Sequence, residues 1–133
     1  MIRRIFLLAS VVLLVTTSAI AAESVVKLVV DYGDGAAKHF DAIPFRPKMS
    51  GLDVLKAASE HPHGIKFESR GSGSTLLIDK VDDVKNEGGG MSARNWQYRV
   101  NGKLGEVSIG ALEVHASDTI LWKFALFEKE EEN

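Results

Sequence analysis

The chain has 133 residues, with 16 Lys+Arg against 18 Asp+Glu for a formal net charge of −2. That balance lacks the basic footprint with which nucleic-acid binders displace counterions. There is no cysteine, which excludes a disulfide scaffold, a thiol nucleophile, thiolate zinc sites and a lipid-anchored N-terminus.

Arg3 and Arg4 form a short positive region, Ile5 to Val15 an apolar core, and Ala19-Ile20-Ala21 the small residues that a signal peptidase reads. A spanning helix needs roughly 20 apolar residues, and Thr16-Thr17-Ser18 interrupts this one too early. Residues 1–22 therefore read as a cleaved signal peptide. The expected product is exported, periplasmic or secreted, with no stable membrane insertion after cleavage. Arg3-Arg4-Ile5-Phe6-Leu7 also fits part of a twin-arginine motif, so both export routes stay open. Cleavage leaves 14 Lys+Arg against 18 Asp+Glu, a net charge of −4. About 111 residues remain, enough for one domain.

Val25 to Tyr32 alternates as a half-buried strand, with Val26, Leu28, Val30 and Tyr32 on one face. Gly33-Asp34-Gly35 is a turn, because Asp-Gly readily takes positive φ. Lys38 to Phe45 returns, with Phe40 and Ala42 expected inward and Pro44 and Pro47 ending it. Ser50-Gly51-Leu52-Asp53 matches a capping box. It opens a helix with a stripe of Val54, Leu55, Ala58 and His61, closed by Pro62. Shorter strands follow at Ile65–Phe67 and Thr75–Val81, then a loop from Lys85 to Asn95 around Gly88-Gly89-Gly90. Trp96 to Val100 is a strand leading into an Asn101-Gly102 hairpin signal. Thr119 to Leu126 is the last strand, with Ile120, Trp122 and Phe124 on one face. Residues 128–133 form an acidic tail. One helix covers only one face of a mixed sheet, so the fold class is α+β, a β-grasp-like mixed sheet with the helix packed across it.

Four segments carry a family resemblance: Val29–Gly33, Gly51–Ala58, Asn95–Lys103 and Ser117–Phe124. Trp96-x-Tyr98-x-Val100-Asn101-Gly102 is the most specific. Residues 25–127 resemble the transcobalamin-like C-terminal domain family, of DUF4430 type. The resemblance implies a β-grasp related to soluble-ligand-binding domains, with cobalamin or another corrinoid as a candidate ligand. The helical barrel that completes the corrinoid pocket in the vitamin carriers has no counterpart here. The family carries Gly where this chain has Ser117, a departure that bears on the turn.

The candidate ligand-binding residues are Gly89, Gly90, Arg94, Asn95, Trp96, Tyr98, Asn101, Gly102 and Lys103. On the functional reading, Trp96 and Tyr98 make an aromatic wall for a flat ligand. On the structural one, residues spaced by two share a core face. Asn101-Gly102 is also an ordinary type I′ turn. Gly88-Gly89-Gly90 lacks the Lys-Ser/Thr of a phosphate loop. Gly71-Ser72-Gly73-Ser74-Thr75 lacks the strand-to-helix elbow of a nucleophilic serine. Asp79, Asp82, Asp83 and Glu87 match no calcium loop and read as a solvated charged turn. His61 and His63 lack a third metal ligand. No nucleophile, base and orienting group come together, so no catalytic residues and no metal site are expected. A sulfur carrier would end in Gly-Gly, where this chain reads Glu132-Asn133. The expected function is a non-enzymatic exported module binding a small molecule. The alternative is a protein-interaction module that docks another exported protein through a sheet edge.

Overall fold

A computed structural model describes residues 24–128. The signal-peptide reading and most of the acidic tail lie outside the described residues. The elements are β1 (Val25–Asp31), β2 (Ala37–Pro44), α1 (Gly51–Glu60), β3 (Phe67–Arg70), β4 (Leu77–Val81), β5 (Val84–Lys85), β6 (Arg94–Val100), β7 (Lys103–Leu104) and β8 (Thr119–Leu126). A single 3-10 turn spans Gly73–Thr75. The main sheet has the order β2-β1-β8-β6-β7, and β3-β4-β5 form a second, smaller sheet. The fold is α+β and β-grasp-like, with one helix against a mixed sheet.

The centre of the main sheet is a parallel pair, β1 with β8, flanked by antiparallel partners. Period-2 alternation sends Val26, Leu28 and Val30 of β1 inward, each 0% exposed. Across the ladder Val30 aligns with Trp122 and Trp122 with Tyr98, while Phe124 aligns with Trp96. The inner face is therefore aliphatic under β1 and aromatic under β6 and β8. Helix α1 covers the first half, burying Val54, Leu55 and Ala58 against β1 and β2. The small sheet covers part of the second, where Trp96 Nε1 donates to Val84 O at 2.9 Å.

Three expectations are corrected. Ala42 is exposed and Ile43 is buried. The register shifts between Val26 and Leu28, which pair with Ile43 and Phe40, so a β-bulge carries the inward face past Ala42. His61 does not continue the helix stripe; it is the C-cap, with extended backbone, and lies exposed. The strand predicted at Ile65–Phe67 is displaced to Phe67–Arg70, and Ile65 is a buried core residue just before it.

All four free amides at the start of α1 find acceptors. Asp53 N donates to Ser50 Oγ at 3.2 Å, and Asp53 Oδ2 accepts from Ser50 N at 2.8 Å, which completes the capping box. Val54 N makes the first regular helical bond, to Ser50 O, while the free amides of Gly51 and Leu52 donate to Leu112 O and Ile109 O. Those last two acceptors belong to the irregular segment 105–118, which is thereby tied across the helix start. Gly51 packs so closely there that a Cβ would lie 2.5 Å from Ile109 Cδ1.

Candidate functional site

The nine candidate residues do not form one cluster. They are strung along β6, whose ends lie about 20 Å apart at the rise of an extended strand. At one end, Gly89 and Gly90 sit exposed in the loop before β6, with open space around each. Arg94 pairs with Glu87 at 2.9 Å and stacks over the Phe124 ring at 5.2 Å. Asn95 clamps the backbone of Gly88, donating to its O at 2.8 Å and accepting from its N at 3.1 Å. At the other end, Asn101 (φ 50) and Gly102 (φ 85) both have positive φ, as a type I′ hairpin requires. The Asn101 amide donates to Asp118 Oδ1 at 2.8 Å and accepts from Thr119 N at 2.9 Å. Lys103 is exposed. The polar groups at both ends are thus engaged in holding turns.

The middle of β6 is different. Trp96 and Tyr98 are 7% and 6% exposed and belong to the core, yet both also border a cleft of about 280 Å³. This cleft opens where the cover of the aromatic half is incomplete, between β4 and the segment after β7. Leu77, Ile78, Val107 and Trp122 form much of the remaining wall. Leu77, Val107 and Phe127 are apolar side chains there that remain largely exposed.

The aromatic wall is rigidly held. Trp96 and Trp122 stack at 6.3 Å with 2° between planes, and Tyr98 stacks on Trp122 at 5.7 Å. Gly105 lies flat on the Tyr98 ring, since a Cβ there would come within 2.1 Å of it. The Tyr98 hydroxyl donates to Val107 O at 2.5 Å. Burial raises its pKa, so the hydroxyl stays a donor. Ser108 Oγ donates to Leu76 O at 2.6 Å. Among the described residues, the one buried side-chain N or O atom without a partner is Trp122 Nε1. Leaving such a donor unpaired costs about 1–3 kcal/mol. Trp122, Val107 and Leu77 were not among the sequence candidates. Trp122 could be read as an inward strand residue, but segment 105–118 has no periodicity to mark Val107.

A larger polar groove of about 470 Å³ runs along Lys66, Glu68, Lys80, Asp82 and Asp83. Asp82 is not a solvated turn residue. Its carboxylate accepts from the Tyr32 hydroxyl, from Lys38 Nζ at 3.2 Å and from Lys66 N at 2.9 Å. Burial opposes its ionisation, but those bonds together with the Lys38 charge outweigh burial and hold its pKa below the ordinary carboxylate range. Burial and the adjacent Asp82 charge push the Tyr32 hydroxyl well up. This network ties the β4–β5 turn to the first hairpin and leaves Asp82 little to offer a ligand. Among the described residues, no group of three or more His, Asp or Glu side chains could hold a metal ion. No helix among them is long and apolar enough to cross a membrane.

The likeness to known proteins agrees with this fold. A protein from Ruminococcus gnavus proposed to bind metal superposes with a TM-score of 0.57 at 18% identity, covering 80% of this chain and 100% of that one. At that identity the likeness is one of fold. No curated protein matches the chain. A family model matches residues 50–125, from the N-cap of α1 to the end of β8. By that match the chain belongs to the family described as Domain of unknown function (DUF4430).

Proposed function

We propose that this protein is an exported, non-enzymatic module that binds a small molecule in the aromatic cleft on β6 and β8. The observation that carries the reading is the gap in the cover over Trp96, Tyr98 and Trp122, rimmed by exposed apolar side chains. A preformed apolar concavity with few polar groups is the usual form of a small-molecule site. The cleft walls offer no nucleophile paired with a base, which supports binding over catalysis. Export rests on the pattern of residues 1–22. The corrinoid version rests on the Trp96-to-Lys103 resemblance. At about 280 Å³, the cleft sits at the small end of ligand pockets. A corrinoid would therefore enter it with a side chain or one edge. Metal binding of the kind proposed for the Ruminococcus gnavus protein finds no ligand set among the described residues.

Titration of the purified protein with a fragment set, cobinamide and cobalamin, read by tryptophan fluorescence and NMR, tests this reading. At least one compound should perturb the Trp96, Tyr98 and Trp122 signals saturably. Silence of those signals throughout would remove the cleft as a site.

One observation favours a second reading, a protein-interaction module. Strand β2 is a free edge of the main sheet. A groove of about 290 Å³ runs beside it, between His39–Pro44 and Ala57 and His61. An added strand would use that edge. A stoichiometric partner captured by the protein and lost on His39→Pro would favour this reading.

A further inference from the structure

We infer that the free edge of β2 accepts an extended peptide segment as a further strand, with an apolar side chain seated between β2 and α1 and a basic residue beside Asp41. The inference rests on the protein-interaction reading and deepens it by naming the partner's chemistry. It is independent of the aromatic cleft.

The main sheet ends on β2 at one side and on the short β7 at the other. In an antiparallel ladder, alternate residues turn their N–H and C=O toward the partner strand and away from it. Tyr32 N donates to Ala36 O at 3.1 Å. Steps of two from that bond put Lys38 and Phe40, aligned with Val30 and Leu28, in the paired set. The backbone groups of Ala37 and His39 therefore point outward from the sheet. Open edges are commonly blunted by a lysine, a proline or a bulge. Here Lys38 is held by Asp82 at 3.2 Å and by Gly64 O at 3.0 Å, while the register shift and Pro44 guard only the far end. The stretch from Ala37 to Phe40 stays open to a new strand.

The groove beside that edge defines the side chains. It holds about 290 Å³ between His39–Pro44 and Ala57 and His61. Its inner wall is apolar because Phe40 and Ile43 turn inward and α1 presents only the small Ala57 there. Side chains of an added strand alternate between the two faces. The residue aligned with Phe40 enters the groove, where a leucine-sized group fits. The next residue shares the outer face with Asp41. Asp41 is the only lining residue of fixed charge, and its carboxylate has no partner among the described residues. A cation on the segment answers it. Main-chain bonds at His39 supply affinity for any strand, while the groove and Asp41 select apolar and basic residues in alternation.

The test titrates the purified protein with a capped peptide, Ser-Lys-Leu-Thr-Val-Ser, followed by ¹H–¹⁵N NMR. In an antiparallel addition that seats the peptide Leu opposite Phe40, the Thr amide donates to His39 O and the Leu amide points to solvent. The peptide should shift the His39 and Ala57 amide signals saturably below about 2 mM. Methylating the Thr amide nitrogen should weaken binding about tenfold, and methylating the Leu amide nitrogen should change it less than about twofold. Gln in place of the peptide Lys should cost about two- to fivefold. Asp41→Asn should cost the same, and the two changes together no more than either alone. The peptide changes leave the protein untouched, so its folding does not enter. Equal losses for the two methylated forms overturn strand addition and leave the groove as a side-chain site. Full affinity after Asp41→Asn overturns the basic requirement. Shifts confined to Trp96 and Tyr98 put the peptide in the aromatic cleft and overturn the inference. A His39 amide that moves with protein concentration alone, with a dimer in sedimentation, gives the edge to a second copy and overturns it too. Unmoved His39 and Ala57 signals overturn the peptide chemistry, while partner capture with His39→Pro still decides the interaction reading.

Discussion

At the scale of single residues, Ser117 shows how a departure from a family pattern acquires a physical meaning. Its φ is +70°, in the left-handed region where a Cβ costs about 1 kcal/mol and glycine is at ease. Its amide donates to Val25 O at 2.9 Å, which holds the turn beneath the parallel β1–β8 pair. Ser117→Gly should therefore stabilise the fold by about 0.5 kcal/mol, after the added freedom of glycine in the unfolded chain is subtracted. Thermal unfolding should show a melting temperature raised by a few degrees. A lowered one would mean that the Ser117 backbone is not under strain. Asn101 makes the complementary point. Its φ of 50° and its two side-chain bonds to Asp118 and Thr119 account for an Asn-Gly pair without any ligand.

At the scale of elements, α1 is legible because its cap is local. The Ser50–Asp53 box lies within one turn, and both of its bonds form as the residue types predict. The fit of that helix end against segment 105–118 is a different matter. Alanine is normally preferred to glycine in a helix, yet Gly51→Ala places a methyl 2.9 Å from Ile109 O as well as against the Ile109 side chain. Backbone cannot step aside as a flexible side chain would. Overpacking of this kind costs about 1–3 kcal/mol, more than the gain in propensity. Chemical denaturation should show Gly51→Ala less stable by about that amount. A neutral or stabilising result would show that segment 105–118 adjusts freely. The same segment supplies Val107 to the cleft, so its fixed position matters for the site as well as for the helix.

At the scale of the whole molecule, Asp82 joins parts that are far apart in sequence. Its carboxylate links the turn of the small sheet to Tyr32 and Lys38 of the first hairpin and to Lys66. Because its folded pKa is depressed, its contribution is fully present above the unfolded value near 3.9 and is lost as pH falls through the folded value. Asp53 acts in the same direction. Its bond from the Ser50 amide is the largest cause of a lowered pKa, against a smaller opposing effect of burial. Stability should therefore fall as pH drops from about 5 toward 3. Asp82→Asn should be less stable by about 1–2 kcal/mol at pH 6 and should lose less on acidification than the parent. Urea unfolding at the two pH values checks both statements. Parallel profiles for parent and variant would remove Asp82 as a source of the acid sensitivity.

What the sequence determined by itself was whatever depends on near neighbours. Alternation marked β1 and β8, the capping box marked α1, and Asn101-Gly102 marked a hairpin, since each signal is complete within a few residues. The α+β class followed from their order. Only the tertiary structure decided the parallel pairing of β1 with β8, the bulge that exposes Ala42, and the 50-residue span between Tyr32 and Asp82. The cleft belongs to the same class. Trp96 and Tyr98 were legible as aromatic residues on one face, but period 2 cannot say whether that face is fully covered. The answer depends on how far the small sheet and segment 105–118 reach across it. Those contacts form between residues distant in the chain, so only the folded molecule decides how much of the aromatic face stays uncovered.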